Sequence, residues 1–474
     1  MKKALITIQF VIALSLSIVN AASAVTLPAI FSDHMVLQQN AEVIIWGSAK
    51  AGEEVTVTGS WDNKSVTTKA NNLAKWSVKL NTPPAGGPYT VTVKGYNTIV
   101  INDVLTGEVW LASGQSNMEW SAAAGIENAE QEIPKANYPA IRFFSVVHQT
   151  ADGPQLDVKG EWVVSTPETM KHFSAVAYFF GRELHQELGV PVGLINSSWG
   201  GTPGEVWVSP ETIAKDPVLK EAAATQEEVQ WGPVQPGKAY HAMIAPLIPY
   251  RIAGALWYQG ESNTNAPEAY ATLLPALIHN WRSEWGYEFP FYFVQIAPYK
   301  DYGPQAGAIL RDAQRRSLKV PNTGMVVVSD IGNNDDIHPR NKIDVGKRLA
   351  NLTLHKTYGK TERPASGPLY REMKVEGRKV RLFFDYADQG LVSKGKELTN
   401  FQIAGEDRQF VDAKAKIEGN TVVVQAKSVK NPTAVRFEWR NAVEPSLFNK
   451  AGLPASSFRT DNWPITQEQA EAKK

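Results

Sequence analysis

The 474-residue chain contains no cysteine. It therefore folds without disulfides and has no lipobox cysteine for a lipid anchor. It also has no net charge, because 48 lysines and arginines balance 48 aspartates and glutamates. That balance argues against nucleic acid or an anionic membrane surface as the main partner. Repeats and low-complexity tracts are missing, and no apolar stretch beyond the N-terminus is long enough to span a bilayer. At the N-terminus, Lys2 and Lys3 precede an apolar run from Ala4 to Val19, and Ala22-Ser23-Ala24 fits the small-x-small cleavage rule. Residues 1–24 thus read as a secretory signal peptide. The mature chain is expected in the periplasm or medium of a bacterium, with no membrane attachment after cleavage.

What is present fits a globular protein of two or three domains, with 43% hydrophobic residues, fourteen tryptophans and fifteen tyrosines. Residues 25–104 carry short alternating runs such as "EEVTVTGSW" and "KWSVKLNT", split by turn residues at hairpin spacing, which predicts a small β-sandwich. Over 105–360 the texture changes. Continuous apolar runs ("EVWLA", "AIRFFSV", "VGLINS", "GALWY", "FYFVQI", "GMVVVSD") alternate with helical patterns, which predicts a mainly parallel sheet flanked by helices. Residues 361–474 return to β texture, ending in a polar tail. The predicted class is α/β with additional β-sandwich-like segments at both ends.

Parallel α/β sheets bind ligands at the carboxyl ends of their strands. Four polar, glycine-rich stretches follow predicted strands: Gly114-Gln115-Ser116-Asn117, Asn196 to Thr202, Gln259-Gly260-Glu261-Ser262-Asn263, and Asn333 to Pro339. Such loops bury little and carry many groups that need hydrogen-bond partners, so their convergence points to an active site. The G-x-S-N of the first recurs in the third, which makes Ser116 and Ser262 the candidate nucleophiles. A serine needs a base and oxyanion donors. Among eight histidines, His338 is singled out by Asp335 and Asp336 just before it. Spacing of three lets a turn return the acid to the ring, so Asp335 is preferred as the imidazole's partner. His34, His148 and His241 lie near loops without an adjacent acid. Candidate oxyanion donors are the Ser116 backbone, Gly200 or Gly201, and the side chains of Gln259 and Asn263. The α/β-hydrolase elbow G-x-S-x-G is absent, because Met118 stands where its second glycine would be.

These stretches, in this order, resemble the SGNH (GDSL-like) hydrolase superfamily. More narrowly they are similar to the sialate O-acetylesterase family and its bacterial polysaccharide-acetylesterase relatives. The resemblance rests on "LPAIFSDHMVLQ", "GEVWLASGQSNMEW", "GLINSSWGGTPGEVW", "MIAPLIPYRIAGALWYQGESN", "LRDAQRR", "DDIHPRNKIDVGKRLA" and "GLPASSFRTDNW", which span nearly the whole mature chain. It implies Ser116 as nucleophile and Asp335 with His338 as its acid and base. It also implies Gly200 or Gly201 with Asn263 or Gln259 in the oxyanion hole, and a structural Ser262. The implied activity is acetate release from an O-acetylated sugar, sialic acid or a plant polysaccharide such as xyloglucan or xylan, with no metal or organic cofactor. Trp120, Trp199 and Glu261 are expected to contact that substrate, with the poorly patterned segments 121–135 and 213–240 as its walls. Three rival readings are an inactive carbohydrate-binding protein, a metal-dependent hydrolase built on Asp335, Asp336 and His338, and an acyl hydrolase acting on lipid or thioester substrates, against which stands the lack of a long apolar lid segment.

Overall fold

The computed structural model describes residues 24–465. The expected leader, apart from Ala24, and the end of the polar tail lie outside the described residues. The chain opens with strands β1 (Val36–Gln38), β2 (Glu42–Ser48), β3 (Glu54–Gly59), β4 (Ser65–Lys69), β5 (Lys75–Asn81) and β6 (Gly86–Lys94). In β5, Trp76, Val78 and Leu80 are buried while Lys75, Ser77, Lys79 and Asn81 face solvent, as the pleat requires. Antiparallel β2–β5 shares one core with the β3, β4 and β6 sheet, through Val43, Ile45, Val57, Val78 and Val93.

Strand β7 (Thr98–Gly114) connects this module to the next without a break. Its first part pairs antiparallel with β6 and its second part parallel with later strands. The expected boundary at 104/105 thus falls inside one strand, at the point where burial changes from patchy to continuous. The central sheet adds β8 (Tyr138–Ser145), β9 (Trp162–Ser165), β10 (Val192–Ser198), β11 (Gly254–Tyr258), β12 (Phe291–Val294) and β13 (Thr323–Val326). Their order is β13-β12-β11-β7-β10-β8-β9, parallel except for β9.

The strands are buried on both faces, and their residues divide by parity. Leu111, Ala255, Trp257, Phe291 and Phe293 join a core with helices Tyr270–Trp285 and Ala306–Arg316. Trp110, Ala112, Leu256, Tyr258 and Tyr292 join another with helices Ala175–Leu188 and Lys342–Lys356. The long helical pattern before β10 is broken at Ser174, whose hydroxyl accepts the Ala177 N–H and caps a new helix. Among the described residues no helix is long and apolar enough to cross a membrane.

From Leu369 onward the chain forms antiparallel sheets around their own core of Val380, Leu382, Phe401, Val422, Phe437 and Phe458. This segment docks on helix Ala306–Arg316. Arg311, fully buried, donates to Ser457 Oγ (3.0 Å) and to the carbonyls of Glu438 (3.2 Å), Arg440 (2.5 Å) and Asn441 (3.3 Å). The "LRDAQRR" stretch is therefore the clamp between the sheet domain and the C-terminal segment.

Candidate active site

The order of strands in the sheet places β7 between β10 and β11, with later strands of the chain on both sides of it. This is the topological switch point where open α/β sheets form a crevice. Gly114 ends β7 at φ +139°, and a Cβ there would sit 2.1 Å from the Tyr258 carbonyl, so only glycine fits. One helical turn, Ser116–Glu119, follows at once. The second copy is built alike: Gly260 has φ +155°, and a short turn Glu261–Asn263 follows. The two copies are one backbone device, and they are bonded to each other. Gln115 Oε1 accepts the N–H groups of Gly260 (3.3 Å) and Ser262 (3.2 Å), and Asn117 Nδ2 donates to Glu261 Oε1 (2.6 Å).

Their serines differ in company. Ser116 Oγ lies 2.9 Å from His338 Nε2, across 222 positions of chain. The His338 ring stacks on Trp120 with centroids 4.5 Å apart. Asn117 ties the two loops together, since its Nδ2 also donates to the carbonyl of Ile337 (3.0 Å), the residue before the histidine. Asn117 Oδ1 accepts from Lys342 Nζ at 2.5 Å. Lys342 is fully buried, and burial lowers its pKa to about 7. Burial, and after it the Lys342 charge, hold His338 below the usual imidazole value, against an opposing pull from Asp336.

The acids sit differently from expectation. Asp335 turns outward to Lys300 (2.7 Å), with 76% of its side chain exposed. Asp336 Oδ1 accepts the backbone N–H of His338 (2.9 Å). Among the described residues neither carboxylate hydrogen-bonds His338 Nδ1. The loop turns back on the residue spaced by two, not by three. The two carboxylates diverge, and among the described residues no three metal-ligating side chains cluster.

The expected amide donors are committed elsewhere. Asn263 Oδ1 accepts from Gly204 N–H (2.8 Å) and Gln259 Nε2 (2.7 Å), while its Nδ2 donates to both oxygens of buried Glu205. Burial raises the Glu205 pKa, and the Asn263 bond opposes that shift. Gln259 is fully buried, with Oε1 receiving the Tyr270 hydroxyl (2.8 Å). Both side chains hold the 202–205 turn in place and are not brought to Ser116 as donors. Glu261 is also corrected: it is buried behind the nucleophile, where burial raises its pKa, and it does not face a substrate.

Gly200 does reach the serine. A Cβ on it would lie 3.4 Å from Ser116 Cβ and 3.1 Å from Glu119 Oε2. Its N–H donates to Glu119 Oε2 at 2.6 Å. Among the described residues the N–H groups of Ser116 and Gly201 have no acceptor. Glu119 Oε1 pairs with His148 Nε2 at 2.8 Å, and the His148 ring stacks flat on Trp199 at 4.3 Å. Burial would lower the His148 pKa, but the bond and charge of Glu119 outweigh it and raise the value. The sequence reading passed over His148 because its acid lies in the Ser116 turn, far away in the chain. It also missed Lys342, although Lys342, Val345, Leu349 and Leu352 fall on one buried helical stripe, which marks the lysine as inward-facing. Trp120 and Trp199 each give one face to a histidine. Segment 213–240 reaches the site through Trp231, which is 65% exposed, accepts the Trp199 Nε1–H (2.8 Å) and crowds Gly201. Segment 121–135 is tied to the histidine loop by Glu127 N–H to the Arg340 carbonyl (3.0 Å). A cavity of about 620 Å³ between β2, β5 and residues 245–249 holds none of these residues.

Comparison with known proteins agrees with the fold. The model for the family "carbohydrate esterase, sialic acid-specific acetylesterase" matches residues 106–355. A sialate O-acetylesterase of Rattus norvegicus is 33% identical over 438 residues, covering 78% of this chain and 80% of that one. A sialate O-acetylesterase of Homo sapiens is 34% identical over 413 residues, covering 79% and 78%. The crystal structure of a carbohydrate acetylesterase from Xanthomonas citri superposes with TM-score 0.85 at 37% identity, covering 93% of this chain and all of that one.

Proposed function

Because the chain belongs to the sialic acid-specific acetylesterase family of carbohydrate esterases, and so is a carboxylic-ester hydrolase, we propose that it removes O-acetyl groups from sugars through an acetyl-serine at Ser116. The observation that carries this reading is the 2.9 Å contact between Ser116 Oγ and His338 Nε2 at the switch point of the sheet. His338 takes the hydroxyl proton as Ser116 Oγ bonds to the acetyl carbon. The oxyanion receives N–H groups from Ser116 and the Gly200–Gly201 turn. His338 then gives its proton to the sugar oxygen as the C–O bond breaks. A water, deprotonated by the same nitrogen, attacks the acetyl group, and acetate leaves as Ser116 regains its proton.

Trp231, 65% exposed, with the partly exposed Trp120 and Trp199, offers flat apolar surface suited to a sugar's C–H face. The net neutral chain favours no strongly charged polymer. The N-terminal leader motif supports action outside the cytoplasm on glycans, whether acetylated sialic acid or plant xyloglucan or xylan. The test is acetate release by the mature protein from a panel of these substrates, with and without EDTA. Release from at least one acetylated sugar that survives EDTA is expected. Release from none, or full loss with EDTA, overturns the reading.

His338 acts as a base only when neutral. Its folded pKa lies below the ordinary imidazole value, so the neutral form persists to lower pH. In that range Lys342 carries its charge and opposes protonation of the ring. The acid limb of kcat/KM is therefore expected below pH 6.5. In Lys342→Met it should move up toward that value. A wild-type limb above it would contradict the arrangement.

The acids make a separate prediction. Asp335→Asn removes a solvent-exposed partner of Lys300 and is expected to change kcat/KM by less than about threefold. Asp336→Asn removes the carboxylate that orients the His338 backbone and stabilises the imidazolium, so about a tenfold loss is expected. Steady-state kinetics of the two variants, with Asp335→Asn the more damaged, would reverse the assignment.

A further inference from the structure

Glu119 is the third residue after the nucleophile, and its carboxylate takes the acceptor position on the Gly200 N–H, beside Ser116. Its Oε2 takes the Gly200 N–H at 2.6 Å. Gly200 itself lies against Ser116, close enough that a Cβ would touch both Ser116 Cβ and this carboxylate oxygen. The other carboxylate oxygen is held by His148 Nε2, which is braced by the Ser198 carbonyl (3.0 Å) and by the stack on Trp199. About a third of the Glu119 side chain is exposed, so it has water to move into. Among the described residues the Ser116 and Gly201 N–H groups are unspent, whereas the Gly200 N–H is capped.

We propose that Glu119 is a displaceable cap on the oxyanion hole, holding the Gly200 N–H until negative charge develops on the acyl oxygen. The proposal rests on the Ser116 esterase reading and adds a residue to it. The chemistry of acceptors sets its sense. A carboxylate oxygen accepts a hydrogen bond more strongly than a neutral ester carbonyl but less strongly than the more basic tetrahedral oxyanion. A ground-state ester cannot take the donor from Glu119, but the tetrahedral oxyanion can. The exchange costs a charge-assisted bond on the way to the transition state, and deleting the carboxylate removes that cost. Gly200 is a glycine for the same reason: a side chain would press on the cap and the nucleophile together.

The experiment uses the mature protein with 4-nitrophenyl acetate, a substrate too small to depend on sugar contacts. Glu119→Ala is expected to raise kcat/KM, up to about tenfold, the order expected when a charge-assisted bond no longer has to be exchanged. Added sodium acetate supplies the missing carboxylate. It should inhibit Glu119→Ala at about tenfold lower concentration than it inhibits the unaltered protein. A purely structural role for Glu119 would not produce that inhibition. His148→Gln, which loosens the cap without touching Gly200, should raise kcat/KM by about twofold to threefold. It decides the matter if Glu119→Ala does not fold by circular dichroism. A fall in kcat/KM in the folded variants, or unchanged acetate inhibition, overturns the cap and makes Glu119 a buttress for Gly200. Ser116→Ala run in parallel separates the two readings. If it keeps its turnover, the serine esterase reading fails; if it is dead while Glu119→Ala is slow, only the cap fails.

Discussion

Ser116→Ala is expected to release acetate at least about 10⁴-fold more slowly than the unaltered protein, the loss typical of removing a nucleophile that works with a base. Alanine leaves the fold alone, because the Ser116 hydroxyl has His338 as its hydrogen-bond partner and supports no other element. What survives is binding and the oxyanion donors, which can assist water attack only weakly. His338→Gln should fall by a similar factor and not add to it, since nucleophile and base act as one unit. Ser262→Ala is the control with the same local sequence. Its backbone N–H, not its side chain, holds Gln115, so a change of less than about twofold is expected. Acetate release by the three variants, with matched circular dichroism, checks this. Turnover retained in Ser116→Ala and lost in Ser262→Ala would reverse the roles of the two copies.

Much of this was readable from residues alone, because each strand-end loop keeps its chemistry within a few consecutive positions. The apolar runs gave the strands, and the turn residues after them gave the loops. Ser116 and His338 could be paired because few histidines stood in a suitable loop. The allocation of donors was not readable. Gln259 and Asn263 look like oxyanion amides in sequence, but what an amide does depends on which acceptors surround it. Here those are Thr202, Glu205 and Gly204, brought close by the fold. Asp335 sits away from the histidine ring for a related reason. A spacing rule assumes one turn geometry, and Lys300 offers Asp335 a partner from another loop. His148 and Glu119 meet only in three dimensions. Trp110, Trp207, Trp257 and Trp281 are buried, so much of the aromatic surplus is packing.

Arg311→Met is expected to destabilise the protein by about 3 kcal/mol, the order for losing several charge-assisted hydrogen bonds from one buried group. Arg311 has no exposed surface, and burial lowers its pKa to about 10, so the guanidinium remains charged at neutral pH. Its cost is met by the carbonyls of Glu438, Arg440 and Asn441 and by Ser457 Oγ, all on the C-terminal segment. Methionine fills similar volume but removes the donor to the buried Glu438 carbonyl and Ser457 Oγ and to the part-buried Arg440 carbonyl, while the Asn441 carbonyl keeps the Tyr299 N–H. The nearby Glu438 should behave differently. Burial raises its pKa to about 8, with the Arg311 charge opposing, and among the described residues its Oε1 has no hydrogen-bond partner. It is therefore largely protonated at neutral pH, and Glu438→Gln, an isostere of that form, should cost less than about 1 kcal/mol. The sign with pH follows. A carboxyl whose folded pKa is raised contributes stability that is full below its unfolded value near 4.5 and is lost as pH rises through about 8. Glu438→Gln should flatten the stability profile across that window, whereas Arg311→Met should lower it throughout. Urea unfolding of both variants from pH 5 to 9 reads the difference. Equal losses from the two changes would mean that Arg311 and Glu438 form a fully ionised pair. A loss confined to Arg311→Met identifies the clamp as an arginine holding backbone carbonyls, with Glu438 as its neutral neighbour.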